Sequence, residues 1–241
     1  MKIRNFTYQG QRDYQEDNLY IDQKAKSLFF VCDGVGGSHG GSTASNIIVN
    51  EIKKQYNGLC QNKIDKGKII EMIKIAHNAL VDQSKHNLAL KDMATTIALL
   101  YICGNKAITC HVGDSKVYYL NVKTGNWWCT KDDSTVQELF DSGVLNSEEE
   151  MKNHPYKNRI TRALSGNNLE PPIITIETID EIETDDIFLV CTDGALEDYS
   201  SHQLVEHFLS KEKSFDQAWD EFEENCKNHS SDNNTSIGIH I

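Results

Sequence analysis

The chain is 241 residues long and 39% hydrophobic, and it carries 36 Asp and Glu against 24 Lys and Arg, a formal net charge of −12. That length suits one well-buried domain, here residues 1–241, rather than two. The acidity excludes a protein that tracks a nucleic-acid backbone or an anionic membrane surface, because either partner needs a basic face.

From the N-terminus, alternation over Ile3 to Tyr8 and apolar runs at Leu19 to Ile21 and Leu28 to Cys32 predict opening strands. Ala44, Ile47, Ile48, Ile52 and Tyr56 then recur at helical spacing, as do Ile69, Ile73, Ala76 and Leu80, so two helices follow. A strand meander is predicted over Ala94 to Ile102, Lys106 to Val112 and Lys116 to Asn121, with Thr124-Gly125-Asn126 as a turn signal. Residues from about Asp132 to Gly166 differ: they are polar and acidic, with short helical patterns at Val136 to Leu139 and Ser147 to Met151. Such an insertion between sheet elements is expected to form a flap over a site. Strands near Ile173 to Ile179 and Asp186 to Thr192 come next, then two helices. The second helix has Phe215, Ala218, Trp219, Phe222 and Cys226 at helical spacing, and a strand from Thr235 to Ile241 closes the order. Runs of strands flanked by helix pairs, without strict βαβ alternation, predict an α+β sandwich.

Seven cysteines are scattered without a Cys-x-x-Cys pair or zinc-ligand spacing, and Cys32, Cys110 and Cys191 fall inside apolar runs. Reduced cysteines and a cytoplasmic location are expected. Met1 to Thr7 lacks the apolar core of a signal peptide, and no stretch approaches a membrane span.

The chemistry concentrates at four aspartates. Asp33, Asp114 and Asp193 each end an apolar run, and Asp232 lies shortly before one. A carboxylate at the mouth of a buried strand is costly to desolvate, so four of them imply positive charge among them, most simply a cluster of hard divalent ions. Asp33 also opens the glycine-rich segment Asp33-Gly34-Val35-Gly36-Gly37-Ser38-His39-Gly40-Gly41, where backbone can approach an ion or phosphate closely. Nucleotide-loop readings of this segment fail at single residues: Ser42 stands where a phosphate-gripping lysine is required, and His39 where a third glycine is. Upstream, Arg12 precedes the acidic pair Glu16-Asp17 by four residues, and a guanidinium beside a metal cluster suits bidentate recognition of phosphate.

In order and spacing, Arg12 to Asp17, Val31 to Gly37, Ala94-Thr95-Thr96, Val112 to Lys116, Asp133 to Val136, His154 to Leu164, Cys191 to Gly194 and Asp232 to Thr235 resemble the metal-dependent serine/threonine protein phosphatases of the PPM (PP2C-like) family, compact bacterial type. The resemblance implies a four-layer αββα sandwich, two central antiparallel sheets flanked by helices, with a metal site at one end. By the same resemblance Asp33 bridges two Mn²⁺ or Mg²⁺ ions, the Gly34 carbonyl completes the first, and Asp193 and Asp232 hold the second. Glu16 ligates directly or through water, Asp114 with Asp193 holds a third ion, and Arg12 binds phosphate. The implied reaction is hydrolysis of phosphoserine and phosphothreonine in proteins, which two ions with one water between them would support. A catalytically weak phosphoprotein-binding module and a hydrolase of small phosphorylated metabolites are the alternatives. A monomer is expected, without fused sensor or anchor, whose partners are phosphoprotein substrates and a serine/threonine kinase with its targets.

Three positions depart from the family pattern. Val35 replaces a histidine proposed as general acid and cannot donate a proton; Lys116 replaces an arginine; Asp133 stands where the flap often has histidine. Thr95 and Thr96 are expected to support the site rather than react. His154 is either an acid or a structural anchor, Trp127 and Trp128 are expected to pack a hairpin, and Glu148-Glu149-Glu150 to form a solvated helix face.

Overall fold

The strand Leu28–Cys32 buries all five of its side chains, and the pleat sends them alternately to two cores. Leu28, Phe30 and Cys32 enter one apolar cluster, Phe29 and Val31 another. Strand Ile187–Cys191 divides the same way: Ile187, Leu189 and Cys191 face one side, Phe188 and Val190 the other. These two strands belong to different sheets, and the cluster they share, with Ala98, Leu100, Ile237 and Ile239, is the seam between the sheets.

The structure is a computed structural model and describes residues 1–35, 40–59 and 64–241. Gly36, Gly37, Ser38 and His39 of the predicted glycine-rich turn, and Cys60, lie outside the described residues. The strands are β1 (Lys2–Tyr8), β2 (Asn18–Ile21), β3 (Leu28–Cys32), β4 (Gly34–Val35), β5 (Ala94–Thr95), β6 (Ile97–Cys103), β7 (Lys106–Val112), β8 (Lys116–Leu120), β9 (Trp127–Cys129), β10 (Leu164–Ser165), β11 (Thr175–Ile179), β12 (Ile187–Cys191) and β13 (Asn234–His240). The helices are α1 (Gly40–Asn57), α2 (Lys66–His86), α3 (Thr135–Asp141), α4 (Glu148–Asn153), α5 (Ser201–Leu209) and α6 (Phe215–His229).

One five-stranded sheet has the order β1-β13-β12-β8-β9 and the other β11-β7-β6-β3-β2, with antiparallel pairing throughout. Helices α1 and α2 cover the second sheet through Ile48, Ile52, Ile69 and Ile73, and α5 and α6 cover the first through Leu204, Phe208, Trp219 and Phe222. This is the expected four-layer sandwich. Helices α5 and α6 start from complete capping boxes, Ser200 with Gln203 and Ser214 with Gln217, each satisfying end amides at about 1 kcal/mol per cap.

Two features differ from the sequence reading. The run Ala94 to Ile102 is not one strand: it breaks at Thr96, and its first part joins a separate three-stranded sheet, β10-β5-β4. That small sheet holds the backbone on both sides of the break beside Asp33, and its strands are too short to show a period. The Trp127–Cys129 strand pairs with β8 in the hairpin expected of the tryptophans. Cys32, Cys103, Cys110, Cys129, Cys191 and Cys226 are free thiols. No helix among the described residues is long and apolar enough to cross a membrane.

Candidate active site

Each of the four aspartates leaves a strand at the same end of the sandwich. Asp33 follows β3 and Asp114 follows β7 in one sheet, while Asp193 follows β12 and Asp232 precedes β13 in the other. The Asp33 backbone is clamped. Its amide donates to Thr96 Oγ1 at 3.0 Å, and its carbonyl accepts from Thr95 Oγ1 and from the Thr96 amide, both at 2.8 Å. Thr96 Oγ1 also meets Ser115 Oγ at 2.7 Å, next to Asp114. Thr95 and Thr96 therefore support the site, as the sequence suggested.

Asn233 fixes the loop that carries Arg12 and Glu16. Its Oδ1 accepts from the Glu16 amide at 2.8 Å, and its Nδ2 donates to the carbonyls of Gln9 at 2.7 Å and Tyr14 at 2.9 Å. Ser45 Oγ on α1 donates to the Glu16 carbonyl at 2.6 Å. Gly34 and Gly41 let these segments meet: a Cβ on Gly34 would lie 2.3 Å from the Gly41 carbonyl oxygen, and one on Gly41 would lie 2.6 Å from Glu16 Oε1. Arg12 Nη2 pairs with Asp232 Oδ2 at 2.5 Å.

Electrostatics mark the cluster. Burial, and then the neighbouring charge of Asp193, holds the Asp33 and Asp114 carboxyls well above the usual carboxylate range. Asp193 is pushed up to about 6 by burial and by Asp232, and Asp17 up to about 7 by burial, against the Thr192 hydroxyl that donates to its Oδ2 at 2.8 Å. Glu16 Oε1, Asp17 Oδ1 and Asp193 Oδ1 are buried with no hydrogen-bond partner. Buried, mutually repelling and unpartnered oxygens fit a hard divalent cation. Among the described residues no three His, Cys, Asp or Glu side chains already converge on one point as ligands, so an ion would have to draw the carboxylates together by rotation about their own side-chain bonds.

A cleft of about 370 Å³ runs from Arg12, Asp114, Asp193 and Asp232 to the underside of the flap formed by α3 and α4. Glu16, Asp33 and Gly34 do not line it and lie beside its acidic end. Lys116 and Asp132 form an ion pair at 3.1 Å in the wall; burial works against the lysine's charge and Asp132 more than offsets it, so the Lys116 pKa is raised.

The departures from the family pattern now have places. Asp133 is buried: its Oδ2 accepts the Gly113 amide at 3.0 Å, beside Asp114, and its Oδ1 pairs with Arg162 Nη2 at 3.1 Å. Its role is to moor the flap base. Val35 is exposed, with no proton to give. His154 Nδ1 accepts the Tyr156 amide at 3.2 Å, which makes it an anchor of its own turn. One expectation fails: Glu148 is not merely part of a solvated face, because its Oε2 accepts the Ser201 amide at 3.2 Å and ties α4 to α5.

Asp17, Asp132 and Asn233 were not assigned roles from sequence. The signal was present for Asn233, in an Asp-Asn-Asn-Thr run just before the last strand, but side-chain amides that bridge 217 positions leave no local pattern.

A family model described as protein phosphatase 2C matches residues 9–234. The serine/threonine protein phosphatase PstP of Mycobacterium tuberculosis is 30% identical over 200 residues, 81% of this chain and 36% of that protein, so the chain spans about a third of that relative's length. The serine/threonine phosphatase stp of Listeria welshimeri is 26% identical over 231 residues, 94% of this chain and 89% of that one. A solved structure of the catalytic domain of PstP with two manganese ions superposes with a TM-score of 0.79 at 24% identity, covering 99% of this chain and 96% of that one, a likeness of fold.

Proposed function

The chain belongs to the protein phosphatase 2C family, and from that premise we propose that it hydrolyses phosphoserine and phosphothreonine in proteins with the help of two Mn²⁺ or Mg²⁺ ions. The observation that carries the reading is the set of unpartnered, mutually repelling carboxyls at one end of the cleft. Asp33, Asp193 and Asp232, with Glu16 and the Gly34 carbonyl, would hold the ions, and Asp114 a third. Such ions would lower the pKa of an attacking water and neutralise charge on the phosphoryl group.

The chain's own residues do the rest. Arg12 offers its guanidinium to the phosphoryl oxygens in exchange for Asp232, since both lie at the acidic end of the cleft. Thr95 and Thr96 hold Asp33 through its main chain, so its carboxylate swings about a fixed point. Asn233 does the same for Glu16. Val35 leaves the departing hydroxyl without a side-chain acid at that position. The substrates are phosphoproteins, with a serine/threonine kinase as the opposing activity, and the protein acts as a cytoplasmic monomer.

Phosphate release from a phosphothreonine peptide by metal-stripped protein, titrated with Mn²⁺ beside Asp193→Asn, tests this. Activity that appears with metal and is lost in the variant is expected; no release from folded protein at any metal concentration would overturn the reading.

A further inference from the structure

Away from Asp193 and Asp232 the cleft changes character. Its flap end is walled by Val136 and Phe140 of α3, Met151 of α4, Leu196 and Tyr199 of the segment after β12, and Tyr118 of β8. Val136 and Tyr118 are buried while Phe140 is 36% exposed, so the ring stands open to the space these residues enclose. A volume of about 370 Å³ lies in the range of roughly 300–1,000 Å³ that encloses whole small ligands, far more than one phosphoryl group occupies.

Polar clasps hold these walls in place. Lys152 donates to the Tyr199 carbonyl, Glu148 accepts from the Ser201 amide, and the Tyr118 hydroxyl meets Ser201 Oγ at 3.2 Å. Flap and body thus present a preformed apolar surface, which an occupant need not order on arrival. Of the three lysines that line the cleft, Lys116 is engaged by Asp132 and Lys152 by the Tyr199 carbonyl. The walls therefore offer little to an acidic side chain and much to an apolar one, in a space continuous with the carboxylate cluster.

We propose that the flap end of the cleft is a recognition pocket for a large apolar side chain close in sequence to the phosphorylated residue of the protein substrate. The pocket rests on the phosphatase reading and adds a sequence preference to it. Phe140 and Met151 supply the two walls contributed by the flap, so they set the preference.

The test is kcat/KM with Mn²⁺ for phosphothreonine peptides that differ at a single flanking position, carrying Leu, Ala or Glu there, scanned on both sides of the phosphothreonine. Leu is expected to exceed Ala by about tenfold or more at one or more positions, the discrimination an apolar pocket achieves. In Phe140→Ser and in Met151→Ser the ratio is expected to fall to within about twofold of unity, as the apolar wall is lost. The ratio is internal to each variant, so a loss of folded protein cancels from it. Equal rates for Leu and Ala at every position overturn the pocket, as does a preference for Glu or a Leu preference that survives in both variants. Turnover of p-nitrophenyl phosphate by the unaltered protein separates the two readings. Its presence with a flat peptide series removes the pocket alone; its absence removes the phosphatase reading and the pocket with it.

Discussion

Arg12 Nη2 lies 2.5 Å from Asp232 Oδ2, so the group best suited to bind phosphate is paired with a carboxylate expected to bind metal. The pair is half open to solvent, with the arginine side chain 57% exposed, and is worth little to stability. Its significance is exchange: cation binding at Asp232 would free the guanidinium for substrate. Arg12→Ala is therefore expected to leave the folding midpoint within about 0.5 kcal/mol of the original. The same change is expected to raise KM for a phosphopeptide by about tenfold or more, the loss of a charge-assisted hydrogen bond. Steady-state kinetics on the loaded protein check this, and an unchanged KM would place phosphate recognition elsewhere.

The raised carboxyls make a second expectation, about pH. An acid whose folded pKa is raised favours the fold while it is protonated, and that contribution disappears as pH rises through the folded value. For Asp193 the window runs from the unfolded value of about 4 to about 6. Metal-free protein is expected to lose stability to urea as pH rises through this window. The buried His77 and His111, whose pKa values are lowered by burial, act in the opposite direction. The difference between the native chain and Asp193→Asn isolates the aspartate; a difference that stays constant with pH would show that Asp193 does not titrate there.

Asp33→Asn removes one charge from the repelling set. Without metal at pH 7 the variant is expected to melt at a higher temperature than the native chain, because burial and Asp193 both penalise the ionised Asp33 carboxylate. The rise in melting temperature on adding Mn²⁺ should shrink in the variant, since a bridging ligand is gone. Differential scanning calorimetry with and without metal reads both effects. A lower metal-free melting temperature would mean that the carboxylate earns its place by contacts to the fold.

Asp133→Ala leaves the Gly113 amide without its acceptor and Arg162 without its partner at the flap base. The expected loss is about 1–3 kcal/mol in urea unfolding, the penalty of a buried polar group left unpaired. Asp133→Asn keeps an acceptor oxygen for Gly113 and should lose less. Equal losses would assign the effect to the charge alone.

The sandwich was legible because its strands carry their layering in period two. β3 and β12 alternate between a helix-facing and a sheet-facing core, and the strand-end aspartates follow directly from those runs. The three-stranded sheet was not legible, since Gly34–Val35, Ala94–Thr95 and Leu164–Ser165 are each too short to show a period. Site contacts divided in the same manner. Asp33, Asp193 and Asp232 stand beside strong apolar runs, whereas Asn233 acts through hydrogen bonds to Gln9, Tyr14 and Glu16 at the far end of the chain. Glu148 read as a solvated face because a helix N-terminus rich in acid is favourable in its own right, and only the tertiary structure reveals Ser201 opposite it.

Strand β13 lies between β1 and β12, and Asp232 stands immediately before it. During synthesis the first sheet lacks its second position until nearly every other element has emerged, and β1 has no hydrogen-bonded neighbour until then. The carboxylates of the second sheet come together early, but those of the first cannot join them across the seam until β13 inserts. Competence for chemistry should therefore arrive in one late step, and a ribosome stalled before residue 232 would display a half-built, inert site rather than a weak enzyme.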